Sequence, residues 1–128
     1  MISLPHAVRV FLHAPATDLR KGFDALSGLV TAAFSQDPLS GHLFLFVNRR
    51  RDRLKILYWD RDGLAIWYKR LETGSFQLPV VAPDAVSVEM SPTQLSLILS
   101  GIDLRSARQR KRYQRPRSEG EKSIGVPL

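Results

Sequence analysis

Residues 41–79 read GHLFLFVNRRRDRLKILYWDRDGLAIWYKRLETGSFQLP, an alternation of apolar, basic and aromatic side chains cut by polar turns. A period of two fits half-buried strands, and polar clusters between the runs fit hairpin connections. The stretch therefore predicts consecutive antiparallel strands over 43–47, 54–59 and 64–70, joined by turns at 48–53 and 60–63. Register decides what this sheet presents, because a slip of one residue exchanges its two faces. A four-residue loop at 49–52 sets Phe46 opposite Lys55 and Phe44 opposite Leu57. Arg53, Lys55, Leu57 and Trp59 then share that face with Leu64, Ile66, Tyr68 and Arg70. The other face carries Leu43, Leu45, Val47, Leu54, Ile56, Tyr58, Ala65 and Trp67, nearly all apolar, and reads as core.

The first face is mixed, with aromatics in the middle and cations at the end near Arg53 and Arg70. Two readings stand for Phe44, Phe46 and Trp59. They stack on nucleic-acid bases, or, the favoured reading, a helix covers them, since two-layer domains bury a sheet face in that way. Arg49, Arg50 and Arg51, followed by Arg53 and Lys55, repel one another at a hairpin tip. Such a run is a solvated surface or a site for phosphate or an acidic partner, and the second reading is preferred.

The flanking segments complete an α+β expectation. Residues 8–13 alternate as a first strand ended by Pro15. Thr17 or Asp18 can cap a following helix with an apolar stripe of Leu19, Phe23, Leu26, Val30 and Ala33. Residues 86–90 alternate again. Ser91-Pro92-Thr93-Gln94 then combines a capping box with proline at the first helical position. Leu95, Ile98, Leu99 and Ile102 form that helix's expected buried face, with Gly101 near its end. The expected fold is a mainly antiparallel sheet with two principal helices, one domain over 1–103, and a disordered basic tail over 104–128.

Arg20 and Lys21 stand out within the first expected helix. Cations in a first helical turn oppose the macrodipole, and Gly22 inside a helix costs about 1 kcal/mol relative to alanine. Either these residues make an anion site at the helix start, or Arg20 pairs with Asp18 or Asp24 and Gly22 permits tight packing.

Charge sharpens the partner expectation. The net charge of the 128 residues is +7. Residues 104–128 hold eight basic and two acidic side chains, a net of +6, while eleven basic and ten acidic residues leave +1 for the rest. Few apolar residues and no sustained period predict disorder for the tail. Arg108, Arg110, Lys111, Arg112, Arg115 and Arg117 can follow a DNA backbone with no sequence readout. With no cysteine, disulfides and thiolate metal sites are excluded. No apolar run has the length of a membrane span and no signal-peptide pattern opens the chain, so a cytoplasmic protein is expected.

Catalytic signals are weak. Asp18, Asp24, Asp52, Asp60, Asp62 and Glu72 qualify as metal-binding carboxylates by type alone, and turn aspartates are common for backbone reasons. His6, His13 and His42 lack ligand spacing. Neither a phosphate-binding glycine loop nor a nucleophile motif is present. No catalytic residue, metal or cofactor is expected.

Four segments resemble one family: TDLRKGFD at 17–24, GHLFLF at 41–46, RRDRLKILYWD at 50–60 and YKRLETGSF at 68–76. They resemble the small accessory protein, often called TnpB, encoded by the second reading frame of insertion sequence 66 transposons. That family is distinct from the larger RNA-guided nuclease that shares the letters. The similarity spans residues 8–103. It implies participation in DNA transposition beside a separate transposase and implies no chemical step. The sequence thus predicts a non-catalytic accessory factor binding DNA through Arg20, Lys21, Arg49, Arg50, Arg51, Arg53, Lys55, Lys69, Arg70 and the tail. The alternative is a protein-interaction subunit that docks on the transposase without touching DNA.

Overall fold

A computed structural model describes residues 8–101 of the chain. The central sheet forms because one strand, Leu43–Val47, is apolar at every position and can be buried on both faces. In chain order the elements are β1 (Val10–His13), α1 (Phe23–Phe34), β2 (Leu43–Val47), β3 (Arg53–Asp60), β4 (Gly63–Arg70), β5 (Ser87–Met90) and α2 (Pro92–Ser100). The sheet order is β4-β3-β2-β1-β5. β1 and β2 run parallel, with α1 as their crossover, and the other neighbouring pairs are antiparallel. This is the expected α+β fold, with one parallel pairing inside it.

The hairpin register is the one the alternation predicts. Phe44 faces Leu57 and Phe46 faces Lys55 across β2–β3, and Lys55 faces Tyr68 across β3–β4. One core packs Phe11, Phe44, Phe46 and Leu57 against Leu19, Leu26, Val30 and Phe34. Phe44 and Phe46 are fully buried, so the covering reading holds for both. Trp59 is only partly buried, near the end of β3 that outruns β2. The opposite core joins Val10, Leu12, Leu43, Leu45, Val47, Leu54 and Ile56 to Phe76, Met90, Leu95 and Ile98.

Helix α2 starts as expected. Ser91 and Gln94 complete the reciprocal capping box, Pro92 opens the helix, and Gly101 ends it at φ 83°. Leu95 and Ile98 are buried and Leu99 packs beside them. Ile102 lies outside the described residues.

Helix α1 differs from the expectation. It begins at Phe23 with Gly22 as N-cap, not at Thr17 or Asp18. Leu19 is buried from the loop before the helix, Phe23 is 48% exposed, and Phe34 rather than Ala33 closes the stripe with Leu26 and Val30. The physical reason lies upstream. Thr17 is buried, its N–H donates to the Val47 carbonyl at 2.9 Å, and its hydroxyl lies 3.1 Å from His13 Nδ1. That anchor holds the chain along the end of β2 and delays the helix. Arg20 and Lys21 therefore precede α1, and the dipole conflict inferred from sequence does not arise.

Candidate nucleic-acid interface

Three separate segments bring cations to one side of the β2–β3 hairpin tip. The tip is built on Asn48, whose Oδ1 accepts the N–H groups of Asp52 (3.1 Å) and Arg53 (3.0 Å). Its Nδ2 donates to Asp52 Oδ1 at 2.7 Å. An asparagine bonding backbone groups ahead of it in this way replaces the hydrogen bonds that a tight turn leaves open. The turn is also tied to the segment after β4: Leu71 N–H donates to the Asp52 carbonyl and Phe76 N–H to the Arg51 carbonyl, both at 2.7 Å. Phe76 is buried, so the tip is fastened to the core.

The fastening fans the arginine triplet. Arg51 takes a left-handed backbone, φ 59°, which costs a side-chain-bearing residue about 1–2 kcal/mol. Arg50 lines a cleft on the α1 side of the sheet, whereas Arg49 and Arg51 border a separate, smaller hollow beside His13, Pro15 and Leu78. The triplet is therefore not a single patch.

The larger cleft has a volume of about 400 Å³. Asp18, Leu19 and Arg20 form one wall, Asn48, Arg50, Asp52 and Arg53 another, and Tyr68 a third. Arg53 and Arg70 stand directly opposite each other on β3 and β4. Like charges in that position destabilise a strand pair. Arg70 finds Glu72 at 2.8 Å, while among the described residues the Arg53 guanidinium reaches the Tyr68 hydroxyl, at 3.4 Å. Lys55 Nζ lies 4.9 Å from the Tyr68 ring centroid and donates to the Lys21 carbonyl at 2.9 Å, linking the sheet to the loop before α1. Tyr68 itself is 47% exposed.

The two carboxylates in the walls are already engaged. Asp52 accepts from Asn48. Asp18 accepts from Arg20 Nε at 3.0 Å and Nη2 at 2.6 Å, and also from the Arg20 backbone N–H. The Arg20 side chain, then its backbone N–H, holds the Asp18 carboxyl well below the usual range. Of the two readings of Arg20, the ion pair with Asp18 is present, and Asp24 is not its partner. The pair is exposed, with 91% of the Arg20 side chain accessible, and exposed pairs contribute little to stability.

The site residues named from sequence thus separate into groups. Arg20, Arg50 and Arg53 meet at the cleft, and Lys21, Lys55 and Arg70 stand beside it. Arg49 and Arg51 line a separate hollow with His13 and Leu78. Lys69 is paired with Leu54 in register and lies on the opposite sheet face. Arg108, Arg110, Lys111, Arg112, Arg115 and Arg117 lie outside the described residues. Sequence reasoning missed Asn48 and Tyr68 as site residues. An asparagine opening a turn that closes on aspartate was the available signal for Asn48. Tyr68, flanked in register by Lys55, was visible in the strand pairing. Among the described residues no group of three or more His, Asp or Glu side chains could hold a metal ion, and no helix is long and apolar enough to cross a membrane.

Similarity to known proteins agrees with this architecture. The sequence profile of the family described as "IS66 Orf2 like protein" matches residues 8–109. The uncharacterized protein y4jC of Sinorhizobium fredii (strain NBRC 101917 / NGR234) is 36% identical over 116 residues, covering 91% of this chain and 97% of that protein. The uncharacterized protein y4hO of the same strain is 40% identical over 98 residues, covering 77% and 84% respectively. No solved structure matches. With a profile spanning most of the chain and relatives of this identity aligned along nearly their whole length, the chain belongs to the IS66 Orf2-like family, which associates it with insertion-sequence transposition in an accessory role.

Proposed function

We propose that this protein is a non-catalytic, cytoplasmic accessory factor of transposition that binds DNA beside a separate transposase. The observation that carries the reading is the convergence of Arg20, Arg50 and Arg53 on one cleft, with Arg53 held opposite Arg70 at a cost to the sheet. Arg20 and Arg70 have carboxylate partners in Asp18 and Glu72, whereas Arg50 and Arg53 present their charge to the cleft, and a phosphate backbone is the kind of anion that suits them. The basic tail adds reach and affinity without sequence information.

The test is binding of the purified full chain to transposon-end and random duplexes over a salt series. Binding that weakens steeply with salt supports the reading, and a preference for the ends adds sequence specificity to it. Absence of binding at low salt overturns it in favour of a subunit that docks on the transposase.

A further inference from the structure

The cleft has features that phosphate contact to a duplex does not require. A convex arginine-bearing tip suffices to touch a duplex backbone, whose base faces are stacked and closed to side chains. This site is concave, and its volume of about 400 Å³ falls within the ~300–1,000 Å³ of sites that enclose small organic groups. One wall is Tyr68, an aromatic residue left 47% exposed on a strand whose other aromatic, Trp67, packs against the core. Lys55 Nζ sits over the Tyr68 ring but is not a wall of the cleft. The ring is therefore oriented by one cation while still bordering the cavity. Arg53, on the neighbouring strand at the same end of the sheet, reaches the Tyr68 hydroxyl at 3.4 Å, Arg50 lines the cleft from the hairpin tip, and Asp18 is neutralised by Arg20.

We infer that this cleft receives an unpaired nucleotide of single-stranded DNA, its base stacked on Tyr68 and its phosphate held by Arg50 and Arg53. The inference rests on the DNA-binding reading above. An aromatic platform beside a cationic track is the chemistry by which proteins hold single strands, and each base stacked adds affinity in any sequence. The wall is preorganised, because Asn48 and the buried Phe76 fix the tip that carries Arg50.

The experiment compares a labelled oligo(dT) with a blunt duplex of equal length, using fluorescence anisotropy and the full chain. Any contribution of the tail enters both measurements, so the readout is the ratio of the two affinities. The wild type should favour the single strand severalfold. Tyr68→Ala should lose roughly 5- to 150-fold on the single strand, the measured range for one stacked base, and keep duplex affinity. Tyr68→Phe, which retains the ring, should stay within about twofold of wild type. Tyr68→Leu fills the same strand position without a flat ring and should behave as the alanine variant, which covers a folding defect in the latter. Equal loss on both DNAs, no loss with either variant, or failure of Tyr68→Phe to bind overturns the single-strand site. So does tighter binding of an oligoribonucleotide of matching length. Duplex binding that persists through those outcomes leaves the general DNA reading standing, whereas loss of all binding by the wild type at low salt removes both.

Discussion

At the scale of single residues, the Asp18–Arg20 pair controls how much positive charge the cleft presents. Asp18→Asn frees Arg20 and removes a carboxylate, so DNA affinity should rise. Arg20→Ala leaves Asp18 anionic beside Arg50 and Arg53, so affinity should fall by more than one lost contact. Titrations of the two variants should move in opposite directions, with melting temperatures nearly unchanged because the pair is exposed. Lower melting temperatures with unaltered binding would mark Arg20 as structural only. Asp18 cannot drive pH dependence near neutrality. Its folded value is depressed, so its contribution is complete above the ordinary carboxylate range and fades only in strong acid. His13 acts nearer neutrality. It is partly buried against Phe34 and Phe46, and burial lowers its pKa, with a backbone hydrogen bond to Pro15 opposing. A depressed folded value means that stability is complete above about pH 6.5 and declines as pH falls through the folded value. The melting temperature should therefore drop between pH 7.5 and 5.5, and His13→Gln should flatten the decline. An unchanged slope in the variant would assign the effect elsewhere.

Among the elements, the β2–β3 tip and the approach to α1 decide the site. Asn48→Ala removes the one acceptor that takes two backbone hydrogen bonds at the tip, and one donor, and should cost about 1–3 kcal/mol in a denaturant melt. Phe76→Ala empties a fully packed position and releases the strap behind Arg51, and should cost about 3–5 kcal/mol. Both should weaken single-strand binding, because Arg50 loses its fixed support. Gly22→Ala tests where α1 begins. As a helix-interior change it would gain about 1 kcal/mol. Gly22 is the N-cap with no side-chain bond, and a methyl there meets nothing within 4 Å. Glycine outranks alanine at that position, so the substitution should be neutral or lose up to about 0.5 kcal/mol. A clear gain would extend the helix upstream of the cap. What the sequence disclosed follows the same division. Hairpin register and the Ser91 cap depend on neighbours along the chain, and both were legible. The start of α1 depends on Thr17 reaching Val47, thirty residues away, and the parallel β1–β2 pairing depends on the crossover as a whole. Neither leaves a local pattern. The arginine triplet was visible as charge, but its division between two separate hollows depends on the folded tip, with Arg51 in a left-handed turn.

For the whole molecule, charge and shape are carried by different parts. Residues 104–128 hold a net +6 and the remainder only +1, yet the cleft belongs to the remainder. Sequence alone located both basic regions but could not rank them, because net charge says nothing about which cations share a cavity. Salt dependence can rank them. Each neutralised phosphate contributes about −0.9 to the slope of log affinity against log salt on duplex DNA and about −0.7 on a single strand. Removing residues 105–128 deletes all eight cations of the tail and retains every described element. The slope should flatten on both DNAs, and affinity should fall on both. The ratio of single-strand to duplex affinity should persist, because Tyr68, Arg50 and Arg53 remain. Adding Tyr68→Ala to the truncated chain should then erase that ratio without a further change in slope, since a tyrosine neutralises no phosphate. A truncated chain that binds neither DNA at low salt would place all affinity in the tail and leave the cleft without a role in DNA binding. A ratio that disappears on truncation alone would assign single-strand preference to the tail instead.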